Sequence, residues 1–326
     1  MPLIVEMYDL NGYKIKPVES HNGGRNIIFN CEKDGYNAKI LRISFLKDRT
    51  REHRLGEVEY IRYLYANGGS VSNVISSNKN NLLEEINYNN HTFYICLFEK
   101  AKGKRLPDNN YDYREGVPVS EYFYNCGKTL GKLHQISKNY IPIHRRYSFL
   151  DIYNSEYINS LIPDSHDLLK EKMFELLNTL EELPKNRESF GMVHLDYNDG
   201  NYSIDYETGQ LTVYDFDNSC FFWYMFDLAG VWESGTGWIQ SEKDIKKRKK
   251  FMKDYFKTVL DGYRSETTID DLMLDNLPLF INIGLMEGII GQFEYMRDSG
   301  EGPDEEWLPH AIKCLEEDIP YYGFFH

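Results

Sequence analysis

The chain has 326 residues, 41% hydrophobic and 27% charged, which excludes a disordered or collagen-like polymer and allows one large domain or two packed lobes. Its formal net charge of −14 argues against nucleic acid and anionic membrane as partners and suits either solubility or a cationic substrate. Cys31, Cys96, Cys126, Cys220 and Cys314 form no C-x-x-C pair, which argues against a disulfide framework or a zinc site and for a reducing compartment. The first residues lack a basic segment followed by an apolar run. The longest apolar stretch, Leu277 to Ile290, is interrupted by Asn282 and Glu287 and falls short of the roughly 18 residues of a membrane helix. A cytoplasmic protein, monomer or homodimer, is expected.

In chain order, Asn26–Cys31 and Ala38–Phe45 read as two strands of a hairpin turned at Gly35. From Arg51 to Ala66 the pattern changes to a helical period, with Leu55, Val58, Ile61 and Tyr65 apolar and a stop at Asn67-Gly68-Gly69. Val71–Ile75 is short and extended, and His91–Phe98 is a further strand. Lys100–Asp112, rich in Lys, Gly, Pro and Asn, reads as a loop at a lobe boundary. The rest is mainly helical. Glu121–Ile136 carries a core stripe in which Gly127 and Gly131 allow close approach, and Leu168–Leu183 is amphipathic. A small β insert (Met192–Val193, Tyr202–Ile204, Leu211–Tyr214) precedes helices at Ile245–Asp261, Leu277–Arg297 and Glu305–Glu317.

The most informative stretch is Val193-His194-Leu195-Asp196-Tyr197-Asn198-Asp199-Gly200-Asn201, followed by the apolar strand that ends in Asp215-Phe216-Asp217. Phosphoryl transfer needs one carboxylate to accept the proton of the attacking hydroxyl, and an Asn and a second Asp to hold the magnesium on the phosphates. Asp196 fits the base, and Asn201 and Asp215 fit the metal ligands, because hard cations prefer oxygen. A polar turn rich in Asn and Asp is the plain alternative, which the flanking strands weigh against. His194 reads as a structural hydrogen-bonding residue, Asp217 as a turn residue and Asp227 as the N-cap of a following helix.

Nucleotide phosphates are expected against the first hundred residues. Gly23 and Gly24, between extended segments, would let backbone amides approach them. Either Arg42 or Lys39 would supply a strand cation, paired with Glu57 or Glu59 of the helix; Arg42 with Glu57 is the preferred pair. Lys39 and Arg42 are three apart, so they face opposite sides of the strand. Leu97–Gly103, with Glu99 and Ala101 as the chosen positions, would join the lobes and offer its backbone to the base.

With these residues in view, the chain resembles the aminoglycoside phosphotransferase and choline kinase-like family. The likeness lies in Ser189–Asn201, Val213–Asp217, Phe226–Ala229, Ile40–Ser44, Gly56–Ile61 and Gly127–His134. It implies an α+β, bilobal protein-kinase-like fold, with a small β-rich nucleotide-binding lobe over 1–100 and a mainly helical catalytic and substrate-binding lobe over 101–326. It further implies Asp196 as base, Asn201 and Asp215 on Mg2+, ATP or GTP as donor, and a small-molecule hydroxyl as acceptor. Two departures stand out. The family's strand cation is usually Lys rather than Arg42, and Leu195 replaces the arginine that precedes the catalytic Asp in protein kinases. The expected acceptor is a small, cationic molecule such as an aminoglycoside, with Glu287, Glu294, Asp298, Glu301 and Glu305 as candidate acids. The alternatives are a sugar, an amino alcohol, a homoserine-like metabolite or a protein Ser/Thr as acceptor, or a kinase-like binding protein of weak activity.

Overall fold

The computed structural model describes residues 1–18, 26–45 and 49–321. In chain order its elements are α1 (Pro2–Met7), β1 (Lys14–Pro17), β2 (Asn26–Glu32), β3 (Lys39–Ser44), α2 (Arg51–Ala66), β4 (Val74–Ile75), β5 (Glu84–Tyr88) and β6 (His91–Glu99). Then come α3 (Ser120–Ser137), α4 (Phe149–Ile152), α5 (Ser155–Leu161), α6 (Asp167–Glu182), β7 (Phe190–Val193), β8 (Tyr202–Ile204), β9 (Leu211–Val213) and β10 (Cys220–Trp223). The chain ends with α7 (Tyr224–Gly237), α8 (Ile245–Arg264), α9 (Asp271–Leu274), α10 (Leu277–Ser299) and α11 (Trp307–Glu316). These sort into two units. The first joins Met1–Val117, Tyr140–Arg146 and Asp199–Asn218; the second joins Pro118–Asn139, Tyr147–Asn198 and the residues from Ser219 onward.

The first unit is built on an antiparallel sheet in the order β1-β2-β3-β6-β4, with β5 also paired to β6. β6 is long enough to hold two short partners along one edge, β5 from Tyr88↔His91 to Glu84↔Ile95 and β4 at Val74↔Phe98 and Ile75↔Leu97. The period of two then divides β3 between the two faces. Leu41 is buried in a cluster with Ile4, Tyr8, Leu10, Cys31, Ile95 and Leu97, while the neighbouring Arg42 turns to the other face. Helix α1 covers the Leu41 face, and the Tyr8 hydroxyl donates to the Ile95 carbonyl at 2.9 Å. At six residues, α1 is too short to show a period in the sequence. Helix α2 begins where Thr50 Oγ1 accepts from the His53 N–H at 3.2 Å, and it buries Gly56, Glu57, Tyr60, Ile61 and Leu64 as one stripe. The β8–β9 hairpin joins this unit through backbone bridges from Ile204 to Lys104 and from Val213 to Val71.

The second unit is mainly helical, with one small two-stranded sheet. The strands around the polar loop do not form a single insert as the sequence pattern predicts. β7 pairs with β10, from Phe190↔Trp223 to Val193↔Cys220, and β8 pairs with β9 in the other unit. β10 is a four-residue apolar run, which periodicity alone cannot assign to strand or helix. Helix α10 buries Phe280, Ile283, Met286, Ile289, Ile290 and Phe293. Among the described residues, no helix is long and apolar enough to cross a membrane. All five cysteines are buried free thiols.

Helices α3 and α8 meet at glycines, as the Gly127 and Gly131 pattern suggests. A Cβ on Gly127 would lie 1.8 Å from the Val259 carbonyl oxygen, one on Gly131 2.5 Å from that of Tyr263, and one on Gly262 2.0 Å from that of Tyr124. The two backbones therefore touch, and any side chain at 127 must separate them. Gly127→Ala is expected to lower unfolding free energy by about 1–3 kcal/mol, the usual cost of overpacking. The measurement is the urea midpoint at unchanged slope. An unmoved midpoint would mean that the helices part freely.

Candidate active site

A cleft of about 790 Å3 lies within the first unit. Val18, Ile28, Ile40, Ile61 and Phe98 give it apolar walls. Its polar side carries Arg42, Glu57, Lys100, Arg105, Asp108, Asp215 and Asp217. Ala101 also lines it, so four of the residues chosen from sequence (Arg42, Glu57, Ala101 and Asp215) meet on one surface. Glu99 and Asn201 are not among the lining residues. The Glu99 N–H donates to the Asn73 carbonyl at 2.8 Å, and its carbonyl accepts from the Ser72 hydroxyl. Gly23 and Gly24 lie outside the described residues.

The Arg42 guanidinium binds the Glu57 carboxylate through both arms, Nη1 to Oε1 at 2.6 Å and Nη2 to Oε2 at 2.9 Å. Both side chains are almost fully buried. Burial works against the charge on Arg42, but the Glu57 carboxylate, together with Cys96 and Asp217, holds the guanidinium well above its usual pKa. The plane also lies over the Phe98 ring, 5.1 Å from its centroid. Lys39 is turned away, with Nζ 4.9 Å from the centroid of Tyr13, and Glu59 is bound to His144. The arginine departure therefore has a physical reason. A fork can hold a carboxylate with two bonds and stack on an aromatic face at once, which an ammonium cannot do.

Strand β9 buries Leu211 and Val213 and delivers Tyr214 and Asp215 to the cleft. Asp215 has φ +63°, a left-handed conformation that non-glycine residues adopt at a cost of about 1–3 kcal/mol when the surroundings enforce it. The Asn201 carbonyl accepts from the Tyr214 N–H at 2.9 Å, so the chain around Asn201 is tied beside Asp215. Asp217 sits in a 3₁₀ turn over Phe216–Asn218, and its Oδ2 also accepts from the Asn26 amide at 2.7 Å. No group of three or more His, Cys, Asp or Glu side chains able to hold a metal occurs among the described residues. Magnesium does not require one, because it commonly takes one or two carboxylates together with nucleotide phosphates. Two wall atoms, Arg42 Nε and Asn30 Oδ1, are buried with no hydrogen-bond partner among the described residues. Oxygen donors, a buried cation and unsatisfied wall atoms beside an apolar slot fit a nucleotide with a hard cation.

In the second unit, strand β7 runs into His194-Leu195-Asp196-Tyr197-Asn198. The Asn198 amide donates to Asp196 Oδ1 at 2.5 Å. The loop is held by Asp227, whose carboxylate accepts from the His194 N–H at 2.8 Å and the Leu195 N–H at 2.9 Å. Asp227 is therefore not an N-cap; it lies inside the first turn of α7, whose N-cap is Trp223. An acid within the apolar run Tyr224–Ala229 was the available signal, since a buried carboxylate must find donors. These two bonds hold Leu195 at φ +70°. His134 supplies a third contact, with Nε2 3.0 Å from Asp227 Oδ2 and Nδ1 2.9 Å from the Tyr263 hydroxyl. A neutral ring satisfies both, donating to Asp227 and accepting from Tyr263.

The class that this fold and cleft define is that of the kinase-like phosphotransferases. Residues 14–265 match the family described as the phosphotransferase enzyme family, and the chain belongs to it. It is accordingly a small-molecule phosphotransferase with an alcohol group as acceptor. Amicoumacin kinase of Bacillus subtilis (strain 168) is 25% identical to it over 305 residues, covering 92% of this chain and 87% of that protein. An amicoumacin kinase solved in complex with AMP-PNP, Ca2+ and Ami superposes with a TM-score of 0.84 at 22% identity, over 99% of this chain and 94% of that one. A microcompartment-associated aminopropanol kinase gives 0.70 at 18% identity, over 98% of each chain. A spectinomycin phosphotransferase in complex with ADP and spectinomycin gives 0.60 at 14%, over 97% of this chain and 92% of that one. At such identities the structural likeness is one of fold. The family resemblance read from the motifs, and the kinase-like α+β fold it implies, both hold.

The pairing of His134 has a pH signature. Burial is the largest influence on its ring and lowers its pKa below the ordinary value near 6.5, although Asp227 pulls the other way. The unfolded chain thus binds this proton more readily than the folded one. The corresponding stability is present above about pH 6.5 and is lost as pH falls toward the folded pKa. Melting curves across that range should show the loss, and His134→Gln should flatten this part of the profile. An unchanged slope in the variant would place the titration elsewhere.

Proposed function

We propose that the chain is an ATP- or GTP-dependent kinase of a small hydroxylated amine, with an amicoumacin-like or aminoglycoside antibiotic as the leading acceptor class. The observation that carries the reading is the cleft in which the Arg42–Glu57 pair, Asp215 and Ala101 converge. Arg42 faces the phosphates, and Asn201 and Asp215 hold the divalent cation, which when bound neutralises phosphate charge. Gly23 and Gly24 offer backbone amides, and the chain at Glu99 and Ala101 holds the base. Asp196 accepts the proton of the acceptor hydroxyl and orients it for in-line attack. In this reading, residues 1–100 form the nucleotide-binding lobe and residues 101–326 the catalytic and substrate-binding lobe, from which Ala101, Asn201 and Asp215 also serve the nucleotide, in a cytoplasmic enzyme.

The acceptor class rests on two supports. The amicoumacin kinases match nearly the whole chain in sequence and in structure. Of the candidate acids, Glu287 and Glu294 stand seven apart on α10, each partly buried and each accepting from a tyrosine, Tyr153 at 3.2 Å and Tyr157. Such acids suit a cationic group. Asp298 is paired with Arg297, and Glu301 with Tyr295. A small amino alcohol is the second reading, favoured by the likeness to an aminopropanol kinase over 98% of both chains.

The test is a panel of amicoumacin, aminoglycosides, spectinomycin and short amino alcohols, assayed for magnesium-dependent ADP or GDP release. Turnover with an antibiotic and none with the amino alcohols supports the first reading, and the converse supports the second. Asp196→Ala should lower kcat on the substrate found by about 10²–10⁴-fold, the usual contribution of a positioned base. Near wild-type turnover in that variant would remove Asp196 from the chemistry.

A further inference from the structure

We infer that Arg146 is a positioning residue that fixes the metal loop against helix α2, an inference that rests on the reading of Asp215 as a metal ligand. The segment Tyr140–Arg146 belongs to the first unit, although its chain neighbours on both sides belong to the second. It runs along one face of α2. The Tyr140 ring packs against both Tyr60 and Tyr63, with centroids 5.0 Å away in each case. The His144 backbone N–H and ring Nδ1 both reach the Glu59 carboxylate, at 3.1 and 2.7 Å. The Arg145 N–H donates to Glu52 at 3.2 Å. Gly56 lets the strap approach, since a Cβ there would lie 3.0 Å from the His144 carbonyl oxygen. Positions 52, 56, 59, 60 and 63 are spaced by three and four, as one helix face requires.

Arg146 ends the strap and is the part that leaves α2. It is 3% exposed. Nη1 donates to the His53 carbonyl in the first turn of α2 at 2.9 Å. Nη2 donates to the carbonyls of Phe216, at 3.4 Å, and Asp217. Those two carbonyls directly follow Asp215, whose left-handed backbone has to be enforced from outside. One rigid fork thus ties the helix that presents Glu57 to the turn that presents Asp215. Because these donors go to backbone carbonyl oxygens, they orient the turn without using carboxylate oxygens that a metal ion would need. None of these contacts touches nucleotide, and the role is one of positioning, comparable to the outer groups that orient metal ligands.

The experiment measures AMP-PNP affinity with and without Mg2+ in the full chain, well below the melting temperature. In Arg146→Met the affinity without Mg2+ should remain near wild type, while the gain on adding Mg2+ should shrink by about 10-fold or more, as for lost outer-shell partners. Arg146→Lys keeps the charge but not the fork, and should fall between the two. A purely structural role would lower the melting point and leave the Mg2+ gain intact, and that outcome in a folded Arg146→Met overturns the inference. Should the Met variant fail to fold, Arg146→Lys decides alone, and a full wild-type gain overturns the inference. Asp215→Ala separates the two levels. If it retains the Mg2+ gain, the reading of Asp215 falls and the role of Arg146 falls with it. If it loses the gain while both Arg146 variants keep it, only the positioning role is wrong.

Discussion

A guanidinium buried out of water must find acceptors for its donors, and for Arg42 the acceptor that also answers its charge is the Glu57 carboxylate. Removing one partner of such a pair costs about 3–5 kcal/mol, because the remaining charge is left buried and unanswered. The requirement sets the register of β3, which must turn residue 42 away from the Leu41 core. It sets the rotation of α2, which must bring residue 57 to the sheet. Arg42 also lies over Phe98 of β6, which lines the same cleft. The polar wall of the site follows from one ion pair and two periodicities.

The second unit solves a similar problem with Asp227. A carboxylate buried to this depth is stable only if donors surround it, and the donors are the His194 and Leu195 amides and the His134 ring. The same bonds hold Leu195 in a backbone conformation it would not adopt unaided. In each unit a buried acid on a helix fixes a polar group elsewhere in the fold. Glu57 holds a side chain and Asp227 holds a backbone turn. Both acids are placed by helical period, and so both positions are rigid where the chemistry is polar.

Much of this was legible in the sequence because periodicity and steric need leave direct marks. Helix α2 starts at Arg51 and ends at Ala66, where the apolar spacing and the Asn67-Gly68-Gly69 stop place it. The glycines of α3 announced a close helix crossing, and backbone contact with α8 is what they serve. That Lys39 and Arg42 lie on opposite faces of a strand followed from their spacing, although which of the two turns inward did not. Other features leave no such mark. The pairing of β7 with β10 joins short segments across a long interval, and a four-residue apolar run carries no period. Asp227 looked like a cap because caps and anchors use the same residue type, and only burial separates them. Arg146 binds carbonyl groups, which every residue possesses, so no sequence pattern could name its partners.

The strap also bears on how the site is kept assembled. In protein kinases an arginine precedes the catalytic Asp; here that position is Leu195, whose N–H is already used by Asp227. An apolar side chain there offers no donor to a phosphate group, so a phosphorylated loop would gain nothing at this point. The task of keeping α2 in place falls instead to covalently attached groups, Tyr140, His144, Arg145 and Arg146, that are present at all times. Contacts of this kind have a fixed effective concentration and need no modifying enzyme. An ion pair held by contacts within the fold is formed or lost with it, whereas one held by an added phosphate has two folded states. The geometry of α2 is therefore set by contacts that form with the fold itself.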